Sequence, residues 1–382
     1  MGAGHEPAEI VVSAPTLSRD GPVWRVGARV GAHEVHVEAD EPLAVNADAF
    51  AVACLLPAAQ SGATLRVEGA LDRRLAGSVP AIMALARRYW GFPGAAVESR
   101  GTATRERAGQ TAMFFTGGVD SFHALRKERG AIERLIFVDG FDLGLADRAA
   151  FARVRGAIEA VAAETGARAA FPRTNLRADP TFRPVGWDRT FGAALAAVAH
   201  AMAPAVAVVH VPSSAMTTNY GSTPELDPLW SSEAVAFVHR DADVPRVEKA
   251  RAIADWPLAH RHLRVCFATD RGGGLNCGRC EKCVRTQTAL EAVGARERFE
   301  SFPRAGLREL IDGVRWVPQV NHEAWGHIRD QIRDRAIVAA VDRLLARRPT
   351  LADHARAALG PMLDRLPGGQ AVKRAGRRLL RG

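Results

Sequence analysis

The chain has 382 residues, enough for two or three domains and more than one sizeable core. Hydrophobic residues make up 47% and charged residues 24%, which excludes a disordered or fibrous protein. The 51 Lys and Arg exceed the 42 Asp and Glu by nine, but all of them except Lys127, Lys249, Lys282 and Lys373 are Arg. In so Ala-rich a chain we read that excess as a composition bias, which permits an anionic partner and names none.

Residues 1–105 read as an α+β unit. Short strands are expected at Glu9–Ser13, Val23–Val30, Glu34–Glu38, Thr64–Glu68 and Ala96–Gly101, with helices at Asp48–Ala58 and Val79–Trp90. Cys54 lies in the apolar run Ala-Val-Ala-Cys-Leu-Leu and reads as a small buried hydrophobe. This unit carries no phosphate loop and no grouped metal ligands. Substrate recognition and dimerisation are the roles open to it.

The polar stretch Thr102–Gln110 reads as a linker into a second unit, 111–300, where strands and helices alternate. Strands are expected at Ala112–Phe115, Arg134–Asp139, Ala167–Phe171 and Val206–Val211, and helices at Ser121–Arg129, Ala146–Glu164 and Phe191–Ala203. That alternation predicts an α/β fold: a Rossmann-like parallel sheet with helices on both faces and ligands at the carboxyl ends of its strands. Phe191–Val211 is the longest apolar stretch, and His200, Pro204 and His210 break it into a buried helix and strand rather than a membrane span. No leader pattern opens the chain, so a cytoplasmic location and no membrane partner are expected.

At the end of the first of these strands the chain reads Thr116-Gly117-Gly118-Val119-Asp120-Ser121, with a helix expected from Ser121. Two Gly allow a tight turn against a ligand, and their N–H groups with the helix N-terminus form an anion nest to which Thr116 and Ser121 add hydroxyls. Asp120 repels bare phosphate. It fits either a Mg²⁺ bridge to phosphate or a role in holding the loop through backbone N–H groups. His123 follows closely enough for proton transfer.

Four of the five Cys fall at Cys266, Cys277, Cys280 and Cys283, a C-x10-C-x2-C-x2-C pattern. In a cytosolic chain this spacing argues for metal. Four thiolates suit tetrahedral Zn²⁺ in a closed, structural site, with Arg279, Lys282 and Arg285 offsetting its charge. An iron–sulfur cluster is the rival, although Gln287 stands where a ferredoxin run would place another Cys. A helix at Lys282–Val293 leads out of the metal loop. The region 301–382 reads as helical, at Ala305–Gly313, Glu323–Leu345 and Thr350–Leu363. A basic tail with Lys373, Arg374, Arg377, Arg378 and Arg381 ends it, either solvated or touching a nucleic-acid backbone.

The Thr-Gly-Gly-Val-Asp-Ser loop resembles the Ser-Gly-Gly-x-Asp-Ser loop of the PP-loop ATP pyrophosphatases (adenine nucleotide alpha hydrolase-like folds), with Thr116 keeping the hydroxyl. Together with the four cysteines it resembles the 7-cyano-7-deazaguanine synthase family across residues 111–295. The resemblance implies ATP with Mg²⁺ held by Thr116, Gly117, Gly118, Val119, Asp120 and Ser121, and Lys249 on phosphate or adenylate charge. It implies a substrate loop with Ser213, Ser214, Tyr220, Gly221 and Glu225, and zinc on the four cysteines. After the second strand, where that family typically shows Tyr-Gly-Gln, this chain has Val138-Asp139-Gly140-Phe141-Asp142. Asp139, at a strand end, is expected to touch ribose, adenine or metal.

The expected activity is ATP-dependent adenylation, releasing AMP and pyrophosphate, of a small substrate's carboxylate or amide oxygen for attack by ammonia or another nucleophile. Asp120, Ser121 and Lys249 carry the catalysis. Two alternatives stand beside it: an enzyme that modifies tRNA, for instance by thiolation, and a nucleotide-binding regulatory or defence module. With 6% aromatic residues and no RNA-binding signature, a nucleic-acid partner is the weaker reading.

Overall fold

A computed structural model describes residues 8–214, 219–267 and 274–350. Contacts divide the chain into two compact units, Met1–Arg304 and Ala305–Gly382. The strands of the first unit are β1 Glu9–Val12, β2 Thr16–Asp20, β3 Val23–Val30, β4 His33–Ala39, β5 Thr64–Val67, β6 Leu71–Asp72, β7 Val97–Ser99, β8 Thr102–Ala103, β9 Gln110–Phe114, β10 Arg134–Ile136, β11 Arg168–Ala170, β12 Arg173–Thr174, β13 Val206–Pro212 and β14 Ala236–Arg240. Its helices are α1 Asp48–Ser61, α2 Arg73–Trp90, α3 Val119–Lys127, α4 Arg148–Thr165, α5 Trp187–Ala201, α6 Arg246–Ala252, α7 Pro257–His262 and α8 Glu281–Ala292.

The second half of this unit carries a five-stranded sheet in the order β11-β10-β9-β13-β14, and every pairing in it is parallel. The chain lays down β9, β10 and β11 in one direction, then crosses back to place β13 and β14 on the other side. The strand order therefore reverses between β9 and β13, where such sheets bind ligands beyond their carboxyl ends. Alternate residues bury both faces. Ala112, Phe114, Ile136, Val209 and Val211 join a core shared with α1 and α5. Phe115 and Phe137 face the other way and meet Phe122 of α3 and Phe151 of α4. This is the mixed α/β, Rossmann-like arrangement expected.

The expected division near residue 105 is not a division of the packing. A second sheet, in the order β12-β4-β3-β1-β5-β7, recruits β12 from residues 173–174, which pair with Val37 and Glu38. Thr174 Oγ1 donates to His36 O, and His36 N donates to Asn175 Oδ1 at 3.0 Å. The supposed linker is fixed at both ends. Thr102–Ala103 forms β8, and Arg105 Nε donates to the buried Asp48 carboxylate at 2.6 Å while Arg105 N donates to Glu233.

The second unit holds α9 Leu307–Asp312, α10 His322–Arg329 and α11 Arg335–Ala346. The single helix expected over Glu323–Leu345 is two, because Asp334 caps α11 by accepting from Ala336 N and Ile337 N. The Thr350–Leu363 helix, apart from Thr350 itself, and the basic tail lie outside the described residues. Among the described residues no helix is long and apolar enough to cross a membrane.

Candidate functional site: a glycine loop, an ion-paired aspartate and four cysteines

β9 runs into Phe115 and Thr116, and Gly117 then takes φ +76°, a left-handed value that favours Gly. An added Cβ there would lie 3.4 Å from Arg264 Cβ, so the loop is pressed against the segment before the cysteines. Arg264 N donates to Gly117 O at 2.7 Å and fixes the turn. Gly118 is the N-cap residue of α3, and no side chain caps that helix end. α3 begins at Val119, two residues before the expected start. Thr116 Oγ1 and Ser121 Oγ lie 3.2 Å apart across the loop. The loop follows β9 at the switch point between β9 and β13, and the first N–H groups of α3 have no partner within the helix.

Asp120 is the hub. Ser214 Oγ, just past β13, donates to its Oδ2 at 2.9 Å, and Arg246 Nη1 lies 3.2 Å from the same oxygen. Lys249 Nζ lies 3.3 Å from Oδ1 and also donates to Ser213 O. Burial works to raise the Asp120 pKa, but the charges of Arg246 and Lys249 and the Ser214 hydroxyl outweigh it and hold the carboxyl below its ordinary range. The Lys249 side chain is only 1% exposed, so its ammonium depends on these partners. Arg246 and Lys249, three apart on α6, present one face to the loop.

More cations converge from the metal side. Arg264 Nη1 pairs with Asp142 Oδ2 at 3.0 Å and also reaches Thr116 O. Lys282 sits over the Phe267 ring at 3.8 Å. Burial and then the Arg246 charge push the Lys282 ammonium down to about 8. The same two causes push Arg285 down to about 10. Arg246 and Arg264 each keep one buried N–H group, Nε and Nη2, without a hydrogen-bond partner.

The four expected cysteines come together, and their sulfurs lie within 4.8 Å of one another. Cys266 and Cys280 Sγ are 3.8 Å apart, and Cys277 and Cys283 Sγ are 3.9 Å apart. A tetrahedron with metal–sulfur bonds of ~2.3 Å has edges of ~3.8 Å, so the set is shaped to hold one ion. The Cys277 thiol is pushed down because the other three sulfurs donate to it, and those of Cys280 and Cys283 are pushed up by the same crowding. A cation relieves that conflict by accepting all four as thiolates. Asn276 clamps the loop: its Oδ1 accepts from Val265 N, and its Nδ2 donates to Leu263 O and Ser301 O. Cys54 is buried in the core, as expected.

Other expected site residues are held elsewhere. Asp139, buried at the end of β10, pairs with Arg148 at 2.6 Å. Its backbone bridges Arg173. His123 pairs with Asp241 rather than facing the loop hydroxyls. The expected substrate loop splits. Ser213 and Ser214 engage Lys249 and Asp120, and the Arg285 charge is coupled to Tyr220. Glu225 turns instead to Arg88 of α2. Gly221 is a packing residue: its N donates to Asp188 O, and a Cβ there would run into the Arg189 carbonyl.

Arg246, Arg264, Asp142 and Asp241 were not singled out from the sequence. The Arg246/Lys249 spacing was the one available signal. Two cavities lie away from this loop, a small apolar one beside Trp187 and a cleft of about 410 Å³ beside Arg134. Comparison with protein-family models, with curated proteins and with solved structures finds no match to this chain.

Proposed function

We propose that this chain is an ATP-dependent adenylating enzyme of the PP-loop type, resembling 7-cyano-7-deazaguanine synthase, that forms AMP and pyrophosphate. One observation carries the reading: a glycine loop at the strand-order reversal faces Arg246 and the buried Lys249, two cations that share a single carboxylate. Such excess positive charge around backbone N–H groups suits a polyphosphate.

In this reading the triphosphate of ATP lies over residues 116–121. A carboxylate or amide oxygen of a small substrate attacks the α-phosphorus. The new O–P bond forms as the bond to pyrophosphate breaks, and the departing negative charge falls to Lys249, Arg246 and the loop N–H groups. Ammonia or another nucleophile then displaces AMP. With four cysteines gathered in one cluster and Cys54 in the core, no thiol is left to carry sulfur, which favours nitrogen transfer over thiolation.

Asp120 is already engaged by Ser214, Arg246 and Lys249, which favours a role in holding the loop. Mg²⁺ bound with ATP would supply further neutralisation of the phosphates. Zinc is the ion we assign to the four cysteines. With every position filled by sulfur it leaves no site for a reactive water, so its role is to hold the stretches around Cys266 and Cys277–Cys283 in shape.

The test is incubation with ATP and metabolite extract, reading pyrophosphate and adenylated species by mass spectrometry. Pyrophosphate release is expected. Cleavage to ADP and phosphate, or no ATP binding, refutes the proposal. Metal analysis of anaerobically purified protein is expected to give about one zinc per chain; iron with acid-labile sulfide refutes that assignment.

A further inference from the structure

Asp241 is the only non-glycine among the described residues with a left-handed backbone, at φ +57°. A side chain in that region is strained, and Gly would take the position more easily. Strain of this kind persists where the side chain has a task. The position is also a junction: Asp241 follows β14 at the sheet's carboxyl end, Val244 N closes a turn onto Asp241 O, and Pro245 leads into α6. The left-handed residue therefore begins the turn that delivers Arg246 and Lys249 to Asp120.

Its side chain explains why Gly does not stand here. The carboxylate is 4% exposed and reaches across to α3. Lys127 Nζ donates to Oδ1 at 2.6 Å; His123 Nδ1 lies 3.2 Å from Oδ2 without the geometry of a hydrogen bond, and burial favours its neutral form. Burial works to raise the Asp241 pKa, and Lys127, His123 and Lys249 outweigh it, so the group is held as a carboxylate. Asp120, His123 and Lys127 form one stripe of α3. Its first member meets α6 and the other two meet Asp241, so two carboxylates tie α3, the end of β14 and α6 together around Lys249.

We propose that Asp241 is a positioning residue of the nucleotide site. Its backbone bends the chain into α6, and its carboxylate clasps α3 through Lys127, with the His123 ring packed beside it, which holds Lys249 in place opposite Asp120. The assignment of Lys249 to phosphate charge rests on the function proposed above; the clasp itself does not.

The experiment compares wild type with D241N, which tolerates the left-handed backbone and loses only the charge, and with D241G, which also relieves the strain. Each full-length protein is labelled with an amine-acylating reagent, and the rate at each lysine is read by mass spectrometry with Lys373 and an added lysine peptide as references. Pyrophosphate release from ATP with metabolite extract and the melting temperature are measured in parallel. In both variants we expect Lys249 to label at least about tenfold faster relative to the references. Pyrophosphate release falls about tenfold or more, with the melting temperature within about 3 °C of wild type.

Lys249 protected as in wild type overturns the proposal. So does a general rise at every lysine with a large drop in melting temperature, which would mark a merely structural residue. If wild type releases no pyrophosphate, the proposed function falls, while the Lys249 labelling still decides the clasp.

Discussion

Replacing Asp120 with Asn keeps the side chain's shape and removes its charge. Lys249, 1% exposed, then keeps only neutral acceptors, the Ser213 carbonyl and the amide oxygen, and Arg246 loses its carboxylate. Stranding one member of a buried ion pair costs about 3–5 kcal/mol. Asp120 is itself 20% exposed, so water screens part of the loss and about 2–3 kcal/mol is the better figure. A unit of this size shifts its melting temperature by about 2 °C per kcal/mol, so calorimetry should show D120N melting about 4–6 °C below wild type. Lys249→Met is the contrast. It removes the buried charge and leaves Asp120 with Arg246 and Ser214, so its loss should be below about 1 kcal/mol. Metal-free inorganic triphosphate sharpens the test, because an anion at the loop replaces the missing carboxylate. It should raise the melting temperature of D120N more than that of wild type, by mass action with a tighter Kd. Equal stability of wild type and D120N would show that these pairs do not form. An unchanged gap at saturating triphosphate would show that Arg246 and Lys249 do not face the anion.

Ser121→Ala removes a buried hydroxyl 3.2 Å from Thr116 and should abolish pyrophosphate release while leaving the metal bound; full activity would reject the loop assignment. Chelation under reducing conditions should release one ion per chain and lower the melting temperature. Cobalt substitution should give the thiolate-to-metal absorption of a tetrahedral site, and Cys283→Ala should lose both. Gly221→Ala should destabilise by about 3 kcal/mol, from overlap with the Arg189 carbonyl; a variant as stable as wild type with impaired turnover would return Gly221 to the substrate loop. Asp120 and Asp241 are both held below the ordinary carboxylate range, so the stability they contribute is fully present above about pH 4 and is lost as pH falls through their folded values. The melting temperature of the D120N/D241N double variant should therefore fall less steeply below about pH 4 than that of wild type.

The features legible in the sequence were local ones. Met113–Ser121 announces strand, turn and helix because apolar residues stop at two adjacent glycines, and Gly117 does take the left-handed turn. The four cysteines announce a shared site because short spacing leaves their sulfurs few other places to go, and they do converge. Elements were placed well where periodicity was strong, as in β9, β13 and α8. They were missed where it was weak: β14 reads Ala-Phe-Val-His-Arg, and α6 and α7 are short helices set off by Pro245 and Pro257. The contacts that cross residue 105 escape the sequence for a different reason. α1 and α5 pack into one shared core, and a two-residue strand, β12, and Arg105 join the same halves; the strand and the arginine leave no pattern in composition.

The site shows the same limit at closer range. A carboxylate in this glycine loop is puzzling as a string of letters, because its partners lie 94, 126 and 129 positions away, at Ser214, Arg246 and Lys249. Once they are in view, Asp120 becomes the counter-charge that holds two cations beside the glycine turn. The metal loop takes part in the same logic. Arg264 precedes Cys266 and holds the Gly117 turn, while Lys282 and Arg285 flank Cys283 and bring charge that the Arg246 guanidinium feels. An ion that closes the four sulfurs therefore also fixes where three cations stand relative to the glycine turn. Loss of the metal should accordingly weaken triphosphate binding before it unfolds the sheet, since β9, β10 and β13 are held by pairings that involve no cysteine.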